Sequence, residues 1–404
     1  MIFTMAWRNI WRNKMRSIVI MLSLALGLFA GIAMLALYKG MMKNRVRTVI
    51  DAEVGHLQLH DSSFKKDYES KFIISNGDNV LRVLHAMPEI KLASPRSISN
   101  GMLATPTGSS GVQINGVVPE PEYEASQLKK KIIEGKPFDT AKNNQVMIGK
   151  KLAVKMKVKP GSKLVLTFTD SSDNIVSGAF RVTAVYQSDN TPLDERNVYV
   201  TMKDMNELLT TGNAFQEITV LLKKDEDVNN IQKRLQQKFP SLQVESWKEI
   251  SPETDFMVKT VDQYSYIIMV IIMLALAFGI INTMLMAILE RTREIGMMVA
   301  LGTNKLKIFS LVLLETFFLT LAGTPVGILA GWLTTNYFSR HGLNLSGMGR
   351  EMMSSFGFGT LIYPEFPADK IVGVMLIVAG TALISCLFPA IKALKLQPVE
   401  ALKR

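Results

Sequence analysis

The residues whose types and spacing invite a chemical reading are few: four histidines, one cysteine, and two polar residues within apolar runs. His56 and His60 stand four apart, the spacing that puts two metal ligands on one helix face. They fall, however, in the alternating run 54–60, where a strand separates them by roughly 13 Å. That geometry excludes a shared ion and assigns both histidines to the surface. Cys386 lies inside an apolar run, so one chain can build neither a disulfide nor a cysteine metal cluster. No G-x-x-x-x-G-K-[ST] occurs. Gly135-Lys136 and Gly149-Lys150 lack the earlier glycine, so no phosphate-cradling loop is present. Ser17 and Ser23 have no nucleophile-elbow context. The expectation is a chain with no catalytic residues, no metal and no cofactor of its own.

Glu315 and Asn282 are the polar residues inside apolar runs, and an ionisable group in a membrane is by default a functional candidate. A proton path needs a second acid or a basic partner at matching depth, and the pattern supplies neither. Both residues therefore read as polar clamps between packed helices. Gly323, Gly327 and Gly331, spaced by four, mark a face on which helices can approach closely.

The elements that position these residues follow from composition. The chain has 404 residues, 48% hydrophobic, with a formal charge of +11. Its basic residues flank apolar runs and are not gathered with aromatics, which fits the positive-inside rule and argues against nucleic acid. Four runs, 18–37, 266–289, 308–335 and 371–390, are long enough to span a bilayer. The first is too long for the apolar core of a signal peptide. Arg8, Arg12, Lys14 and Arg16 precede it, Arg291, Arg293, Lys305 and Lys307 lie between the second and third runs, and Lys392, Lys395, Lys403 and Arg404 follow the fourth. Those three regions, with both termini, are expected in the cytoplasm. Lys39, Lys43, Arg45 and Arg47 break the rule but lead into a long domain, for which charge weighs less.

The division expected is a cytoplasmic segment 1–16, spans at 17–38, 263–289, 308–336 and 371–391, an external domain 39–262, a cytoplasmic element 290–307, an external loop 337–370 and a tail 392–404. The external domain is long enough to bury its own core. It contains two versions of one unit. The strand 55–60, a helix near 79–87 and Pro88 leading into a strand are matched by the strand 218–223, a helix near 228–239 and Pro240 leading into a strand. Two β-α-β units with a β-rich insertion at about 132–186 give an α+β domain. The fold class expected is thus an integral membrane protein of four transmembrane helices with a large α+β domain between the first and second. Residues 348–358, rich in Met and Phe, are expected at the membrane surface or against that domain.

The segment Glu290-Arg291-Thr292-Arg293-Glu294-Ile295-Gly296-Met297-Met298-Val299-Ala300-Leu301-Gly302 has a charged start at the membrane edge, apolar residues at helical spacing, and a glycine suited to a left-handed C-cap. Physics alone makes it a short interfacial helix. It also resembles the E-R-x-x-E-I-G-x-x-x-A-L-G signature of FtsX-like, MacB-type ABC permeases. The ending Phe388-Pro389-Ala390 with Leu396-Gln397-Pro398-Val399-Glu400-Ala401-Leu402, and the opening Ala6-Trp7-Arg8-Asn9-Ile10 with Arg16, are similar to that family's other motifs. The resemblance implies a type VII, mechanotransmitting ABC permease that dimerises with a second permease copy or paralogue. Separate LolD/MacB-like ATPase subunits bind the ATP and Mg. It further implies that Arg293, Glu294, Met297, Met298, Leu301 and Gly302 contact the ATPase. The repeated units would correspond to the family's porter subdomain and the insertion to its Sabre-like subdomain.

The segment 40–60, Ile114-Asn115-Gly116-Val117-Val118-Pro119-Glu120 and Glu134-Gly135-Lys136 most resemble the lipoprotein-releasing LolC/LolE branch. That branch implies a bacterial inner membrane location, a periplasmic external domain, a lipoprotein substrate and a periplasmic carrier. Acyl chains and membrane lipids would meet Met34, Leu35, Met41, Tyr266, Ile267 and Val270. The alternatives are MacB-like export of drugs, peptides or other amphiphiles, and FtsX-like signalling to a cell-wall hydrolase.

Overall fold

A computed structural model describes residues 2–12 and 14–394. The C-terminal motif at 396–402 and the charges Lys395, Lys403 and Arg404 lie outside the described residues, as does the side chain of Arg16. The chain divides into two compact units. One takes the described parts of 1–42, 258–343 and 362–404, and the other takes 43–257 with 344–361.

Six helices build the first unit: α1 (Ile2–Arg12), α2 (Lys14–Val49), α3 (Pro252–Glu290), α4 (Thr292–Ala300), α5 (Lys305–His341) and α6 (Ile371–Leu394). Among them α2, α3, α5 and α6 are long and apolar enough to cross a membrane. Both α2 and α3 run past the expected ends of the first two spans. Their shared core draws Leu24, Leu28 and Ile32 from α2, Met269 and Met273 from α3, Leu319 from α5, and Val378 and Cys386 from α6. The expected close-packing face is present on α5. A Cβ placed on Gly323, Gly327 or Gly331 would come within 3.0, 2.8 and 2.8 Å of Met21 O, Ala25 O and Ile32 Cγ2. Without side chains there, the α5 backbone lies directly on α2.

The second unit holds a ten-stranded sheet. Its strands are β1 (Leu57–Asp61), β2 (Ile90–Thr105), β3 (Gly108–Val117), β4 (Ile132–Gly135), β5 (Gln145–Gly149), β6 (Lys163–Thr169), β7 (Ile175–Tyr186), β8 (Asn197–Thr201), β9 (Glu217–Leu222) and β10 (Leu242–Ser246). The two repeats are the β1–helix Gly77–His85–β2 unit and the β9–helix Val228–Lys238–β10 unit. They interleave, with spatial order β10-β1-β9-β2 and antiparallel pairing at every step. This is a split β-α-β pair. Its core joins Leu57 and Leu59 to Ile218, Val220, Ile231 and Leu235.

The β-rich remainder extends on both sides of 132–186. From Arg96 onward β2 leaves β9 and pairs β3, and at Gly101 to Ala104 it also pairs β6. A second core then gathers Leu103, Ile114, Ile148, Leu166, Phe180 and Leu209. One long strand serves two cores, and Pro95 sits where β2 changes partner, a place where a missing N–H is tolerated. Residues 344–361 belong to this unit, where Ser354 Oγ accepts from Thr191 Oγ1 at 3.0 Å and the Gly359 N–H donates to Asn44 Oδ1 at 3.3 Å.

Candidate functional site: the short helix between the second and third long helices

The turn into α4 is made by Arg291, whose carbonyl accepts from the Ile295 N–H at 3.0 Å and opens the helix. Its end is a Schellman closure: the Thr303 N–H donates to Met298 O and the Gly302 N–H to Val299 O, both at 3.0 Å. Gly302 takes φ +79, the left-handed region in which a Cβ is penalised. Asn304 then caps α5 by accepting from the Leu306 N–H at 2.9 Å. Three local signals thus fix α4 at nine residues.

Within α4, Ile295 and Gly296 are buried against the helix core, and Met298 packs partly against it. Arg293, Glu294, Met297, Leu301 and Gly302 are exposed. Leu301 is 80% exposed and Met297 51%, a large apolar display for two neighbouring positions. Of the six expected contact residues, Met298 is therefore the one turned inward. Glu294 forms an ion pair with Arg12 at the end of α1, which holds the Arg12 guanidinium above its ordinary pKa. At its other end α1 packs on α5, where Phe3 and Trp7 meet the Phe318 ring edge-on with centroids 5.8 and 5.6 Å apart.

Beneath α4, Arg291 Nη1 donates to Glu315 Oε1 at 2.8 Å, and Arg291 Nη2 donates to the Asn9 carbonyl at 3.2 Å. The two charged side chains are 12% and 10% exposed. This overturns the expectation that Glu315 lacks a basic partner. Arg291 was counted only as a flanking charge, and nothing in local spacing shows that its guanidinium turns back under α4 toward α5. The recess beside the pair is about 40 Å³, far below the few hundred Å³ of an organic-ligand pocket. It is a packed joint rather than a binding site. Asn282, by contrast, is exposed on α3.

The residues expected to meet acyl chains separate by burial. Leu35 is buried in the helix core, Met34 and Met41 are half-buried, and Tyr266, Ile267 and Val270 are exposed at 53, 54 and 51%. The exposed three continue along α3 through Ile271, Leu274 and Phe278. Lys370 Nζ lies 5.8 Å from the Tyr266 ring centroid, a cation–π contact at one end of the stripe.

His56 and His60 are buried, which corrects the surface assignment. The backbone N–H of Leu222 donates to His56 Nδ1 at 3.2 Å, and His56 Nε2 meets Asp225 at 3.0 Å. His60 Nε2 is 3.1 Å from Glu245, whose carboxyl is held down to about 2 by His60 and Lys65. The physical reason is that β1 is an inner strand with both faces covered, so alternation along it does not alternate exposure. No group of three metal-ligating side chains occurs among the described residues.

Comparison with known proteins gives two family matches. FtsX-like permease C-terminal covers residues 266–398, and MacB-like periplasmic core domain covers residues 17–238. The lipoprotein-releasing system transmembrane protein LolC of Neisseria meningitidis is 24% identical, covering 97% of this chain and 95% of that protein. An uncharacterized ABC transporter permease of Methanocaldococcus jannaschii is 23% identical, covering 100% and 97%. The macrolide export ATP-binding/permease protein MacB of Aggregatibacter actinomycetemcomitans is 24% identical over 81% of this chain, which spans only 52% of that longer protein.

Proposed function

This chain belongs to the FtsX-like, MacB-type family of ABC transporter permeases, and from that premise we propose that α4 is the surface on which a separate ATPase acts. The observation that carries the proposal is the exposed Arg293, Met297 and Leu301 on a helix that is itself fastened in three ways. Ile295 enters the helix core, Arg291 pairs with Glu315 of α5, and Glu294 pairs with Arg12 of α1. A load on the exposed side therefore reaches α1, α3 and α5 together and is not absorbed by a loose loop. Exposed apolar residues beside charge suit a protein partner. ATP and Mg belong to that partner, and the chain works as one of a pair of permeases in a bacterial inner membrane with its termini in the cytoplasm.

The cargo is a lipoprotein, drawn from the outer leaflet and handed to a periplasmic carrier. In support, the similarity to a lipoprotein-releasing transmembrane protein runs over nearly the full length of both chains. The exposed stripe from Tyr266 to Phe278 offers an apolar face of acyl-chain length. The match to a MacB-like periplasmic core domain favours a second reading, export of another amphiphile along the same stripe.

Affinity purification of the tagged chain from native membranes tests both levels. Wild type brings down an ATP-binding chain, and Met297→Asp with Leu301→Asp releases it while the permease remains folded. Retention of the ATPase by the double variant removes α4 as the contact. Photocrosslinkers at Met41 and Tyr266 capture lipoprotein acyl chains on the first cargo reading, and a drug, peptide or other amphiphile on the second. Capture of bulk phospholipid alone removes both.

A further inference from the structure

The helix α2 does not end in an ordinary cap. It passes into a π-helical turn, Ile50–Val54, closed by Gly55 at φ +74. A Cβ on Gly55 would meet Thr219 Cγ2 at 2.5 Å and Val220 O at 3.0 Å, so the turn is pressed onto β9. Glu53 sits within it and is tied in three directions. Its Oε1 accepts from Arg45 Nη1 at 3.0 Å, eight positions earlier on α2, and from Asn190 Nδ2 at 2.6 Å, in the loop after β7. Its backbone carbonyl accepts from Arg96 Nη1 at 3.1 Å on β2. Arg96 in turn holds Glu122 through two hydrogen bonds of 2.9 and 2.8 Å and lies 3.6 Å from Glu217 on β9.

All of these charges are nearly withdrawn from solvent: Arg45, Arg96, Glu122 and Glu217 are 5, 6, 0 and 3% exposed. Apolar residues of similar volume would hold such a core as well or better, because desolvating ions offsets most of their attraction. What an ionic cluster adds is direction, since each bond is satisfied in one arrangement only. Arg96 and Glu217 belong to the split β-α-β pair, whereas Asn190 follows β7 of the second β core. Glu53 therefore joins the last turn of α2 to both halves of the inserted domain. Single-turn π insertions in long helices recur at functional points.

We propose that Glu53 is a positioning residue that makes the inserted domain follow α2, with Arg45, Asn190 and Arg96 as its three anchors. The inference rests on the reading of α4 as the ATPase contact. Displacement of α2 arrives at Glu53 and is divided between β2 and the loop at Asn190. Loss of the carboxylate releases Arg45 and Asn190 and leaves the Arg96 bond to the backbone carbonyl, so the loop at Asn190 no longer follows α2.

Hydrogen exchange followed by mass spectrometry on the permease bound to its ATPase in nanodiscs, with and without Mg-ATP, tests this. In wild type, ATP changes exchange in peptides of α4 and also in peptides covering β2 and residues 187–196. Glu53→Ala keeps ATP hydrolysis, the α4 response and the backbone carbonyl held by Arg96, but loses the ATP-dependent change at 187–196, which depends on the carboxylate. Glu53→Gln, which keeps an acceptor for Asn190, retains part of it. A response at 187–196 in Glu53→Ala equal to wild type overturns the inference. If Glu53→Ala raises exchange throughout the domain without ATP, the comparison passes to Glu53→Gln, where an undiminished response likewise overturns it. A wild-type complex in which ATP changes exchange nowhere, including α4, overturns instead the functional reading beneath.

Discussion

Arg291 and Glu315, separated by 24 positions in the chain, meet as a nearly buried ion pair at 2.8 Å, with Arg291 also holding the carbonyl of Asn9. Three segments thereby converge on one guanidinium. The arrangement makes the root of α4 a fixed point, which is what an element receiving force requires.

Breaking that pair from either side should be costly, because the remaining charge is left buried. Arg291→Ala or Glu315→Ala is expected to destabilise the chain by about 3–5 kcal/mol, and Arg291→Met combined with Glu315→Leu to recover most of the loss. Thermal melting in detergent by intrinsic fluorescence gives the comparison. Equal melting of wild type and both single variants would refute a buried pair.

The glycine face of α5 makes a second, purely steric prediction. At Gly327 an added Cβ comes within 2.8 Å of a backbone oxygen of α2, whereas at Gly279 nothing lies within 4 Å. Gly327→Leu should cost about 3 kcal/mol or more through forced separation of the helices. Gly279→Ala should leave stability within about 1 kcal/mol or raise it, since alanine favours the helix. The same melting assay, run on both, checks the contrast.

Asp194 supplies a pH dependence. Its carboxyl is buried and raised to about 6, although Ser188 donates both N–H and O–H to it. The folded state then binds this proton more tightly than the unfolded state, so the associated stability is present below the ordinary value of 3.8 and is lost as pH rises through 6. A rise from 3.8 to about 6 corresponds to about 3 kcal/mol. Asp194→Asn keeps an acceptor for Ser188 but cannot ionise. Its melting temperature should therefore fall less between pH 4 and pH 8 than that of wild type, and parallel pH profiles would refute the assignment.

The parts legible in the sequence were those written locally. Long uncharged runs mark α2, α3, α5 and α6, and Gly302 marks the end of α4. The two repeats showed through their prolines, Pro88 and Pro240. What stayed hidden is what distant residues do to one another. Arg96, Ser97 and Ser99 break the apolar alternation of β2, yet all three are buried because their side chains are hydrogen-bonded in the interior. Periodicity therefore under-reads that strand. Arg291 looks like any charge at a membrane edge until α5 is folded beside it, and His56 and His60 look like surface residues until β9 and β10 flank β1.

That flanking has a consequence for biosynthesis. β1 is complete at residue 61, but the two strands that pair with it span 217–222 and 242–246. A ribosome thus releases β1 with both edges bare and must add nearly the whole domain before either is covered. Pairings this remote in the chain close slowly and leave strand edges open to wrong partners. The nascent domain therefore needs shelter from aggregation until β10 emerges, only a few residues ahead of the helix that returns the chain to the bilayer.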